Sequence, residues 1–171
     1  MTGLVIILRI IHLIAGVFWV GAVIFLNLLV GPSVMAAGPE GMKVMQELRR
    51  RHFMDHLLGA GAITILAGLG LVWIDSAGFQ PEWFRSHLGM AISTGMLMAT
   101  VAWLIGLFVI HPLGTEMASL AGEMATAPSD DARSAVGMRM MAARGRLIRF
   151  GATAMALMVL TVVTMAVARY I

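Results

Sequence analysis

Four stretches of this chain, about residues 4–30, 57–74, 88–110 and 147–168, are apolar over close to 20 residues or more, the length a helix needs to cross the roughly 30 Å hydrocarbon core of a bilayer at about 1.5 Å per residue. Runs such as "LVIIL" and "ALMVLTVVTMAV" show none of the period-two alternation that a membrane β-barrel requires. Helices satisfy their own backbone polar groups in lipid, so the pattern predicts an all-α integral membrane protein, a four-transmembrane-helix bundle forming a single domain over residues 1–171. Composition agrees: 60% of the 171 residues are hydrophobic and 12% are charged, against about 25% charged in a soluble domain. The first run has no Lys or Arg before it and is about twice as long as the apolar part of a secretory leader, so it is read as a retained span.

The basic residues set the expected orientation. Lys43 and Arg49 to Arg51 lie between spans one and two, and Arg133, Arg139, Arg144, Arg146 and Arg149 lie between or just inside spans three and four, which is nine of the twelve. Only Arg9, Arg85 and Arg169 lie on the other side. The positive-inside rule then predicts a multi-pass protein of a bacterial inner membrane with both termini and the "DSAGFQPEWFRS" loop periplasmic. The formal charge of +3 is a topology signal with some attraction to anionic lipid, and it gives no support to nucleic-acid binding. The basic joints read as partly helical: "PEGMKVMQELRRRH" opens on Pro39, and Ser129 after Pro128 is a candidate cap for a polar helix that runs into span four.

An ionisable side chain inside a span is expensive and is a functional-site hypothesis by default. His12 and His87 fall at similar depths near the terminal end of the bundle, whereas His52, His56 and His111 fall near the basic end. With no cysteine in the chain, thiolate metal sites and iron–sulfur ligation are excluded. Two imidazoles from different membrane helices suit the axial positions of a b-type haem. Gly16 and Trp19 follow His12 on the same helix face, the glycine leaving room for a planar cofactor. Small residues also let membrane helices pack with no cofactor, and His12 could equally make an interhelical hydrogen bond.

At the basic end, His52, Asp55 and His56 share one helix face, a spacing that can bind a transition metal or orient an imidazole through the carboxylate. A solvated cluster beside "RRR" is the plainer alternative, with His111 before Pro112 ending span three. The sixteen methionines are mostly scattered packing residues; "MRMM" at 138–141 is expected to pack against the basic end of the bundle. Trp19 is read as bundle-facing, and Trp73 and Trp83 as interface anchors. No nucleophile elbow, phosphate loop or intramembrane carboxylate pair is present, so any enzymatic role must be redox and carried by a cofactor.

"HLIAGVFWVGAVIF", "LRRRHF" with "LAGLGLVW", and "PEWFRSHLG" together resemble the superfamily of copper-resistance protein D and the HemJ-type protoporphyrinogen oxidase, over about the first two thirds of the chain. The resemblance implies a haem site: a span-one histidine seven residues before a tryptophan, as His12 precedes Trp19, and a residue four after a tryptophan at the start of span three. That second position is lysine in HemJ-like proteins and His87 here, which favours bis-histidine haem and weakens protoporphyrinogen oxidase activity. The copper-resistance proteins share the span-one "H…WxG" pattern, so the resemblance also implies copper handling, for which the histidines with Met90 or Met96 are the candidate ligands.

The leading expectation is therefore a membrane protein with one haem b, or two if the basic-end histidines bind another, transferring single electrons to or from a quinol, a periplasmic carrier or a partner subunit. Copper import is the first rival. A non-catalytic subunit of a larger membrane complex or a homo-oligomer, its histidines merely packing, is the second.

Overall fold

The computed structural model describes residues 2–170, with Pro39 in its backbone alone. Among these residues the chain is helical nearly throughout and has no strand. Four helices are long and apolar enough to cross a membrane: α1 (Thr2–Ala36), α3 (Phe53–Asp75), α5 (His87–Thr126) and α6 (Asp130–Tyr170). Between them lie α2 (Pro39–Arg50) and α4 (Pro81–Arg85). All four apolar runs of the sequence lie on the long helices.

The long helices form two antiparallel pairs, α1 against α3 and α5 against α6. The two pairs meet through Trp19, Leu57, Ala60, Ala99, Ala102, Ala154 and Met158, which form the central core. One end of the bundle carries both chain termini. The other is the arginine-rich end.

The helices outrun the apolar segments at the arginine-rich end. Pro112 does not terminate the third span: α5 continues through His111 to Thr126, and α6 begins at Asp130, well before the apolar run at 147. Ser129 caps α6, its hydroxyl accepting from the Ala132 N–H at 3.2 Å, as the sequence predicts. Continuation past proline depends on one device used twice. Leu26–Val30 and Gly106–Ile110 are π-helical turns, each placed just before a Gly-Pro or His-Pro pair. The Gly31 N–H reaches back to the Leu26 carbonyl and the His111 N–H to the Gly106 carbonyl, five residues each. A proline in a helix lacks an N–H and crowds the carbonyl four residues earlier, and the wider turn relieves both problems without breaking the helix.

Close packing of α1 on α3 relies on small residues. A side chain at Gly70 would meet Leu8 at 3.2 Å, at Gly68 would meet His12 at 3.0 Å, and at Gly16 would meet Thr64 at 3.4 Å. Gly61 is the tightest point, because a Cβ there would lie 2.5 Å from Trp103 and 2.9 Å from Trp19. Three helices converge on that glycine, and the close approach of their backbones gives the dispersion contacts that apolar helices of this kind pack by. At the terminal end, Ser76 is buried and accepts from the Phe79 N–H at 2.8 Å, holding a tight turn through Ala77, Gly78 and Phe79, all with positive φ.

Gly59 and Gly61 make a matched test of this seam. Gly61→Ala should destabilise the protein by about 1–3 kcal/mol through overpacking. Gly59→Ala, where a Cβ meets nothing within 4 Å, should be neutral or stabilising by up to about 1 kcal/mol, since alanine is the better helix former. Thermal unfolding in detergent checks both, and equal effects would contradict the assignment of Gly61 as the contact point.

Candidate functional site

His12 is half-buried on the face of α1 that meets α3. Its Nδ1 lies 2.8 Å from the backbone oxygen of Thr64. A carbonyl only accepts, so Nδ1 carries the hydrogen, and in the neutral ring Nε2 keeps its lone pair. That is the arrangement of metal-binding imidazoles, in which one ring nitrogen donates to a carbonyl and the other faces the metal. The Thr64 hydroxyl is itself fixed, donating to the Ala60 carbonyl at 2.8 Å. Below His12 on the same face, Gly16 opens onto Thr64, and Trp19, 5% exposed, lies over Gly61. The structure therefore gathers His12, Gly16 and Trp19 into one seam with Thr64 and Gly68. Trp103, which the sequence left unplaced, closes the base of that seam by donating from Nε1 to the Leu58 carbonyl at 2.8 Å.

His87 stands elsewhere. It is exposed at the first turn of α5 and lines a shallow cavity of about 290 Å³ with Met90, Ala91, Thr94 and Thr164. Trp103 marks the side of α5 that reaches α3, and sixteen residues at 3.6 per turn put His87 about 160° round the helix from it. His12 thus belongs to the α1–α3 pair and His87 to the α5–α6 pair. The residues that accompany each histidine come from its own pair.

The arginine-rich end brings three of the predicted groups together. Asp55 accepts from His52 Nδ1 at 2.9 Å and faces His111 Nε2 at 3.4 Å, so one carboxylate joins the start of α3 to the π-turn region of α5. His52 adopts a left-handed backbone, φ 53°, which turns the chain from α2 into α3. His56 is directed away from the cluster, its Nδ1 2.8 Å from the His52 carbonyl. Of the two chemistries open to this spacing, the structure displays the carboxylate orienting imidazoles. Just before it, Glu47 accepts from Arg50 at 2.7 Å and from Arg51 at 2.7 Å. These two guanidinium groups hold its carboxyl down at about 2, from an ordinary 4.5.

"MRMM" is placed differently from expectation. Met140 packs into a core shared with α5, alongside Leu113, Leu120, Val136 and Ala143, while Met138 and Met141 are exposed. A helix cannot bury four consecutive residues on one face, and the α5 contact takes only the 136, 140, 143 and 147 positions.

Asn27 is a polar contact that the sequence reading missed. It lies in the first π-turn, donates to the Val23 carbonyl at 2.8 Å, and its Oδ1 would be 2.5 Å from a Cβ at Gly151. The available signal was its being the chain's single asparagine within an apolar run.

No protein-family model matches this chain, and no curated protein or solved structure matches it either.

The depressed value of Glu47 has a definite pH consequence. A carboxyl lowered in the folded state stabilises above its unfolded value, and that contribution disappears as pH falls from about 4.5 to about 2. Carboxyl NMR of the detergent-solubilised chain should give Glu47 a midpoint near the lower value, and Arg50→Ala with Arg51→Ala should return it toward 4.5. A wild-type midpoint near 4.5 would contradict the two-arginine clasp.

Proposed function

We propose that this chain is a membrane-embedded b-type haem protein with a one-electron role, in which His12 is an axial ligand. The observation that supports the reading is the 2.8 Å hydrogen bond from His12 Nδ1 to the Thr64 carbonyl, which leaves Nε2 as the free donor on an oriented ring. The donor set fits the group, since imidazole is a common axial ligand of haem iron. A bound haem would supply the one-electron couple. The chain's own residues then have distinct tasks: Thr64 fixes the tautomer and direction of His12, Gly68 leaves room for its ring, Gly16 lets α1 approach Thr64, and Trp19 fills the seam beneath.

His87 is proposed as the second axial ligand from its chemistry and its depth alone. Because it lies on the α5–α6 pair, turned from the side that reaches α3, ligation of one iron by both histidines requires the helix pairs to turn against each other when haem binds, and the two histidines are separable by experiment. His12→Ala should abolish haem retention in the purified protein. His87→Ala should retain haem but convert a six-coordinate low-spin spectrum to a five-coordinate high-spin one. Retention of a low-spin spectrum in both variants would overturn the assignment. The resemblance to the copper-resistance and HemJ-type proteins, the bacterial inner-membrane location, the periplasmic termini, and the quinol or periplasmic redox partner belong to the same proposal.

A copper-handling role is the second reading, favoured by one observation. His87 and Met90 line the same cavity on α5, giving an imidazole and a thioether to a soft monovalent ion. Purified protein holding copper and no haem, with the copper lost in Met90→Leu, would select this reading over the first.

A further inference from the structure

The part of α6 that precedes the fourth apolar run carries two faces that differ in what they do. Val136, Met140, Ala143 and Leu147 face α5. Met138, Met141, Gly145 and Ile148 fall together on the far side, about 150° away at 3.6 residues per turn. On that side Met138 is 61% exposed, Met141 67% and Ile148 51%. The matching outward face of α5 is an ordinary solvent face, with Thr115, Glu116 and Ser119 exposed. Within this hairpin the apolar face is thus confined to α6.

Lipid accounts for Ile148, which lies within the fourth apolar run, and not for Met138 or Met141. At 41 residues, α6 is about 60 Å long, twice the hydrocarbon thickness. It contains neither a proline nor a π-turn from Asp130 to Val167, so its first half leaves the bilayer along the axis of its second. With the apolar run 147–168 in the bilayer, Met141 and Met138 stand about 9–14 Å beyond the hydrocarbon edge, and only Ile148, at the base of the stripe, lies within it. Arg144 and Arg149 flank the stripe on its two sides. Farther along the hairpin, Arg133 pairs with Asp130 and Arg139 with Glu123, whereas among the described residues Arg144, Arg146 and Arg149 meet no acidic side chain.

We infer that this face of α6 docks an acidic amphipathic helix of a partner protein, its apolar residues on Met138 and Met141 and its carboxylates beside Arg144 and Arg149. An apolar stripe with anchors at three- and four-residue spacing is the helix-to-helix recognition mode, and methionine adapts to varied partner surfaces. Unpaired flanking arginines select for acidic and against basic helices.

The test uses the full chain in neutral-lipid nanodiscs and two synthetic helices of about three heptads. Both have Leu at the a and d positions, one with Glu and the other with Lys at e and g. Fluorescence anisotropy should show the Glu peptide binding at least tenfold tighter than the Lys peptide, with the difference shrinking in high salt. Met138→Ser with Met141→Ser should weaken Glu-peptide binding at least tenfold, and Arg144→Glu should reverse the preference, while circular dichroism stays unchanged because all three side chains are exposed. Equal binding of the two peptides, or none, would overturn the inference. A fluorophore at Met141→Cys, unique in a chain without cysteine, provides two further contradictions. Its emission shifting in anionic nanodiscs without peptide would make the face a lipid contact, and its quenching on self-association would make it a contact between copies.

Discussion

An imidazole between packed apolar helices is expensive without a partner, and the seam between α1 and α3 meets that cost with the Thr64 carbonyl. The bond is possible only because the two backbones are close. Gly68 and Gly70 on α3 and Gly16 on α1 remove the side chains that would hold the helices apart, so the stripe of small residues and the orientation of His12 are one feature. Trp19 and Trp103 meeting at Gly61 carry the same seam across to the second helix pair. Loosening the glycines would therefore affect the ring of His12 as well as the packing.

The two pairs differ in how they use length. α1 and α3 turn back tightly through α2, where Gly41 lies against the Val34 backbone, and the exposed ion pairs of Glu47 with Arg50 and Arg51 hold the end of that helix. α5 and α6 instead run on together as a hairpin with a small core of its own. The π-turns allow both outcomes, because each carries a helix past a proline that would otherwise stop it.

Much of the fold was readable from the residues, for physical reasons. Apolar runs of membrane length have few alternatives in lipid, so the existence of four long helices followed directly, as did the Ser129 cap. The end of the third span at His111 and Pro112 did not, because proline ends a helix only when the turn before it is α-helical, and the wide turn at Gly106–Ile110 has no sequence signature. The seven-residue spacing of His12 and Trp19 correctly placed them on one face, since helical phase depends on spacing alone. Whether two histidines on different helices face each other depends on the rotation of each helix. That rotation is set by contacts such as Trp103 with Leu58, which periodicity does not reveal. Depth was legible and direction was not.

The account rests on His12 presenting a free Nε2. The direct measurement is the ¹⁵N spectrum of histidine-labelled protein in a bilayer, before and after addition of haemin. The account predicts that His12 carries its proton on Nδ1, shows an unprotonated Nε2, and is shifted or broadened by the iron on loading. A proton on Nε2, or a His12 signal untouched by haemin that binds elsewhere, would contradict it.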